Sequence, residues 1–154
     1  MSVATIDTGL NNPRYIDFSN GKGYVTNWGD GSNATDDYVA IINLSTNTLE
    51  AKTISVVEGP EEIKAFGNSV YVAHQGGFSQ NDKVSVINTD NDEVAETITV
   101  GDVPNSLQID ASGNLWVLCG GKPSWTGSET AGQLFKIDTT DNSTTSIDFM
   151  TTEH

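Results

Sequence analysis

The chain has 154 residues, 36% of them hydrophobic, with 15 glycines and a formal net charge of −14 from 21 acids against 7 bases. The length fits one domain, and the low apolar share with frequent glycine points to many turns and thin layers rather than one deep core. The charge argues against binding to nucleic acid or to anionic lipid, and the longest apolar run, Tyr38 to Ile42, is far too short for direct membrane insertion.

In chain order, Ala4-Thr5-Ile6-Asp7-Thr8-Gly9 reads as a strand and matches Glu96-Thr97-Ile98-Thr99-Val100-Gly101 further on. Pro13-Arg14-Tyr15-Ile16-Asp17-Phe18 then leads through Asn20-Gly21 into Gly23-Tyr24-Val25-Thr26-Asn27. The same phrase returns as Pro60 to Ala65 before Ser69 to His74, and as Pro104 to Ile109 before Asn114 to Cys119. The three prolines stand 47 and then 44 residues apart. A third strand recurs at Val39–Asn43, Val84–Asn88 and Leu134–Asp138, and a fourth at Ala51–Val56, Ala95–Val100 and Ser143–Phe149. Asn-Gly and Asn/Asp-rich pairs between them supply residues that tolerate the positive φ of tight hairpins.

Four short strands in about 45 residues is the period of a β-propeller blade. A β-sandwich also has short, evenly spaced strands, but gives no reason for self-similarity at this period. The expected fold is therefore all-β, with three propeller blades of four antiparallel strands and one extra N-terminal outer strand. The boundaries are 1–10 for the outer strand of a preceding blade and 11–57, 58–101 and 102–150 for the blades, within one segment spanning 1–154. Closed propellers have about four to eight blades. The expectation is a section of a longer propeller, a ring completed by self-association, or an open arc.

Function is expected on the rim carrying the loops between second and third strands, which are long for so tight a repeat. These loops hold Trp28 and Asp30; His74, Gln75 and Phe78; and Lys122 and Trp125. Aromatics over glycine backbones make flat platforms for a ring or a sugar, and flanking polar groups supply directional hydrogen bonds. Packing of the same aromatics on the neighbouring blade is the competing reading. Asp30, Asp36 and Asp37 lack the regular alternation of a calcium loop, so no metal site is expected. His74 reads as a structural histidine, and Cys119, the one cysteine, as a small buried filler. No serine elbow, paired-histidine motif or phosphate-binding glycine loop appears, and no cofactor is expected.

Tyr24-Val25-Thr26-Asn27 is the tetrapeptide that names the YVTN propellers. With Pro-x-x-Ile/Leu, Tyr/Trp-Val, Val-x-Ile-Asn and Thr-Ile-x-Val-Gly, the chain resembles that family and its YncE-like relatives from Ala4 to Phe149. Pro13-Arg14-Tyr15-Ile16, Asn114-Leu115-Trp116-Val117 and the Gly120–Gly132 loop resemble the surface-layer-like (DUF5074-type) propellers of Bacteroidetes. That resemblance implies about seven blades and an extracytoplasmic, lipid-anchored parent, some members capturing corrinoids beside a TonB-dependent transporter. No signal or lipobox is legible here. The implied function is a non-enzymatic module binding a small molecule, a glycan or a partner protein through its loop face. The alternatives are a structural or protein-interaction scaffold without a small ligand and, third, a glycan-active lyase or hydrolase.

Overall fold

The computed structural model describes residues 4–77 and 79–150. Twelve strands form three separate four-stranded antiparallel sheets, each built from strands consecutive in the chain. The first holds β1 (Pro13–Ser19), β2 (Lys22–Asn27), β3 (Tyr38–Asn43) and β4 (Thr48–Ser55). The second holds β5 (Pro60–Phe66), β6 (Ser69–His74), β7 (Lys83–Asn88) and β8 (Glu93–Thr99). The third holds β9 (Pro104–Ile109), β10 (Leu115–Cys119), β11 (Gln133–Ile137) and β12 (Thr144–Asp148). The β1–β2 hairpin turns through Asn20 (φ 49°) and Gly21 (φ 75°), the two positive φ values that match the twist of the strands they join. This is the architecture of propeller blades.

Each sheet breaks register at the same place. Pro13 pairs with Asn27, Pro60 with His74 and Pro104 with Cys119, and an irregularity follows each proline pair. Proline brings no N–H to the ladder, so it is tolerated at the start of the strand beside a bulge.

Two apolar layers hold the sheets together. Tyr24, Val39, Ile41 and Ile54 of the first sheet pack on Ile63, Val70, Val72 and Ile87 of the second. Tyr71, Ala73, Val84, Val86 and Ile98 of the second pack on the third, against Leu107, Leu115, Val117, Cys119 and Ile137. The second sheet is covered on both faces, which is why β6 and β7 are almost wholly buried rather than alternating. Stability of this kind is a sum of neighbour-to-neighbour layers.

The Tyr-Val-Thr-Asn stretch of β2 has one structural task per residue. Tyr24 sends its hydroxyl across to Asp92 of the second sheet (2.7 Å), where Lys22 also pairs. Burial and the Asp92 carboxylate raise the Tyr24 phenol well above its ordinary range. Val25 points to the opposite face. Thr26 Oγ1 accepts from Tyr15 N (3.0 Å) and donates to the Glu61 carbonyl (2.9 Å). Asn27 Oδ1 accepts from Asn11 N (3.1 Å), fixing the chain that enters β1.

The segment from Ala4 to Gly9, expected as an outer strand, is not in a strand. It runs beside Asn47, Thr48 and Leu49 at the start of β4. An outer strand takes its ladder from the third strand of its own blade, and each of the three sheets already has its four.

Candidate functional site

The three long loops share one rim because each is tied to the connection that enters its own sheet. Trp28 N donates to Asn12 O (3.2 Å), Gln75 N to Gly59 O (3.0 Å) and Gly120 N to Val103 O (2.9 Å). Asn12, Gly59 and Val103 each precede a strand-opening proline, and each has positive φ (53°, 72° and 58°). Valine is branched at Cβ and pays for this conformation in strain.

Trp28 is built into the first-to-second sheet junction. Its Nε1 donates to Pro60 O (2.9 Å) and the Arg14 guanidinium lies 4.6 Å from its ring centroid. Arg14 in turn makes a two-pronged pair with Glu61, Nη2 to Oε1 at 2.8 Å and Nε to Oε2 at 3.0 Å, which raises the guanidinium pKa further. Gln75 Nε2 reaches the same Glu61 carboxylate at 3.3 Å. Trp28 also walls a small cleft with Asn33, Asp37, Glu58 and Gly77.

The acids of the first loop serve the loop. Asp30 accepts from Ser32 N (3.0 Å) and Oγ (2.8 Å), which lowers its pKa, and its own N–H donates to Asp36 Oδ2 (2.9 Å). Asp37 is buried and receives Gly59 N (3.3 Å). Burial, opposed by that N–H and reinforced by Asp36 and Glu58, pushes its carboxyl up to about 6. Glu58 binds the second loop by accepting from Ser79 N (2.8 Å) and Oγ (2.5 Å). Among the described residues, no group of three or more His, Cys, Asp or Glu side chains is arranged to hold a metal ion.

His74 is fully buried at the end of β6 with Nε2 on Ser85 Oγ (2.9 Å). Nδ1 has no hydrogen-bond partner of good geometry. Burial pushes its pKa down to about 3, against a smaller upward pull from the Val57 and Glu58 backbone. Cys119, its counterpart in β10, is buried, and desolvation pushes its thiol up to about 12, so it is inert as a nucleophile at neutral pH.

Trp125 stands apart. It lies in a single 3-10 turn (Ser124–Thr126) inside the β10–β11 loop, with 76% of its surface exposed. The loop beneath it is fastened. Lys122 Nζ pairs with Asp102 (3.0 Å), Lys122 N donates to Thr130 Oγ1 (2.8 Å), and Thr130 Oγ1 donates to Asp102 Oδ2 (2.9 Å). Thr126 Oγ1 closes the turn on Pro123 O (2.7 Å), and Gly127 ends it with φ 75°. Phe78 lies outside the described residues. The structure therefore places Trp28, His74 and Gln75 around one junction and Lys122 with Trp125 on the next loop. Sequence reading puts Arg14, Glu58 and Glu61 in the blade-to-blade connections of the same rim but gives them no role. The signal for one pair was present: Arg14 and Glu61 are opposite charges one repeat apart, each directly after the strand-opening proline.

In structure the chain is similar to the Kuenenia stuttgartiensis hydrazine synthase, with TM-score 0.71 and 21% identity over 97% of this chain and 39% of that one. It is also similar to the dihydro-heme d1 dehydrogenase NirN in complex with DHE, with TM-score 0.63 and 13% identity over 87% of this chain and 27% of that one. Both are β-propeller proteins, and at these identities the likeness shows the fold. The chain thus spans well under half the length of either. No protein-family model and no curated protein matches it.

Proposed function

We propose that this chain is a non-enzymatic propeller-type binding module that presents Trp125 to a sugar ring or to an apolar spot on a partner protein. One observation carries this reading: a tryptophan 76% exposed on a loop fastened at its base by Asp102, Lys122 and Thr130. An indole held in water on an ordered turn keeps its apolar face ready without having to be immobilised on binding. The other described candidates are already engaged. Trp28 holds Pro60, Gln75 holds Glu61, Lys122 holds Asp102, and His74 is sealed. The reading takes the chain as YVTN-type and YncE-like, on the strength of the Tyr24–Asn27 stretch and its repeats, and as part of an extracytoplasmic bacterial propeller.

The test is a titration of oligosaccharides and of hydroxocobalamin, followed by tryptophan fluorescence and calorimetry, with wild type and Trp125→Ala. A saccharide that binds wild type and loses at least about tenfold affinity in the variant supports the reading. A ligand bound equally by both, or a corrinoid bound at Trp28, overturns it. A second reading, a scaffold with no small ligand, is favoured by the internal engagement of Trp28, Gln75 and Lys122. It expects silence from every probe.

A further inference from the structure

Among the described residues, the first and third sheets each have one face with no sheet packed on it, and the two faces repeat the residue pattern of the two halves of an interface that the chain makes twice. The ladders give the match residue by residue: Val25 pairs with Ile16, Val72 with Ile63 and Val117 with Leu107. In the second sheet, the face turned to the first carries Ile63, Ala65, Val70, Val72 and Ile87. In the third, the face turned to the second carries Leu107, Ile109, Leu115, Val117 and Ile137. The same five positions of the first sheet are Ile16, Phe18, Gly23, Val25 and Ile42. Here Ile16 and Phe18 are 46% and 53% exposed, and Ile16, Val25 and Ile42 line an open apolar groove. The face keeps its bulk by exchange: Phe18 pairs with Gly23 where Ala65 pairs with Val70, and a Cβ at Gly23 would meet the Phe18 ring at 3.3 Å.

The other face of the third sheet carries Trp116, Leu118, Leu134, Ile147 and Phe149. These are the counterparts of Tyr71, Ala73, Val84, Ile98 and Val100, which are buried between sheets. Leu118, Ile147 and Phe149 are 41%, 54% and 41% exposed. Lys136 alone departs from the pattern, standing where Val86 stands, with its charge near Asp138. The main chain differs between the covered and uncovered faces as well. Ala65 N donates to Asp17 Oδ2 across the first junction (2.8 Å), while Phe18 N, its equivalent, falls back on Asp17 Oδ1 beside it. Gln108 occupies the position of Asp17 in the third sheet and is exposed.

We propose that these two faces dock on each other between two copies of this chain, head to tail, so that two sets of three sheets close a six-bladed ring. Each face matches what covers its counterpart and does not match itself, so the contact is between unlike surfaces and closes only if the rotation returns on itself. Six blades lie within the range that closes. The Gln108 amide oxygen of one copy would then take the Phe18 N–H of the other.

Light scattering and sedimentation of the purified chain over a wide concentration range test this directly. The expected result is a reversible monomer–dimer equilibrium. Ile16→Glu and Ile147→Glu should each weaken it by about tenfold or more, since each puts a charge in the apolar contact. Both side chains are half exposed in the single chain, so circular dichroism and cooperative unfolding should stay as in wild type. Mixing the two variants should restore one-to-one pairing, because one of the two junctions then joins two wild-type faces. Lys136→Val, which copies the internal junctions, should tighten the dimer. A monomer at all concentrations, an open polymer, or a dimer broken by Ile16→Glu and untouched by Ile147→Glu would each overturn the proposal.

Discussion

The indole Nε1 of Trp28 donates to the main-chain carbonyl of Pro60 at 2.9 Å, so a residue of the first sheet's loop holds the first residue of the second sheet. Its ring is at the same time the platform under Arg14, whose guanidinium clamps Glu61. Trp28→Ala removes the ring from under a charged group and leaves a carbonyl without its donor. Stability should fall by about 3 kcal/mol. Trp28→Phe keeps the platform and loses only the bond, at about 1 kcal/mol. Trp125→Ala, by contrast, should move the unfolding midpoint by no more than about 0.5 kcal/mol. Urea unfolding of the three variants decides it: equal losses at Trp28 and Trp125 would refute this division of labour.

Gly59 is one of the tight points of the rim, where two loops meet main chain to main chain. A Cβ there would stand 2.3 Å from the carbonyl carbon of Gly76, in a backbone conformation with φ 72°. Both partners are main chain, so neither can rotate away. Gly59→Ala should cost several kcal/mol and free the 75–82 loop, whereas Gly21→Ala, which meets nothing within 4 Å, should cost about 1 kcal/mol from its positive φ alone. Thermal unfolding of the two variants, with hydrogen exchange at Gln75 and Asn81, measures the difference.

The sheets were legible because they are written three times. Prolines 47 and 44 residues apart fix where each sheet begins, and the strand phrases that recur after each proline fix its four strands. Much of the rim was not legible. Trp28 and Trp125 look alike as letters, each in a glycine-bearing loop after a second strand. They part only because Pro60 offers Trp28 a carbonyl across the junction, while the turn at Ser124–Thr126 lifts Trp125 clear. The Arg14–Glu61 clamp was readable as opposite charges one repeat apart. The Glu58 clamp on Gly77 and Ser79 was not, since it depends on how the second loop folds back.

Two buried groups should give this fold an unusual acid response, because they act in opposite directions over the same window. His74 stays neutral in the folded protein down to about pH 3, whereas in the unfolded chain it takes up a proton near 6.5. Its contribution is therefore whole above pH 6.5 and is lost as the pH falls towards 3, by up to about 1.4 kcal/mol per unit. Asp37 is raised from 3.8 to about 6 by burial. Its contribution is present below the unfolded value and is lost as the pH rises through about 6. Between about pH 4 and 6 the two slopes offset each other, and the wild-type urea midpoint should be nearly flat there. Asp37→Asn removes the acid-side gain and should make stability fall steeply below pH 6. His74→Gln, which keeps a polar group for Ser85, should be weaker at pH 7 and should gain stability as the pH drops from 6 to 4. Urea titrations at each pH unit from 4 to 7 measure all three slopes, and parallel curves for the three proteins would refute both assignments.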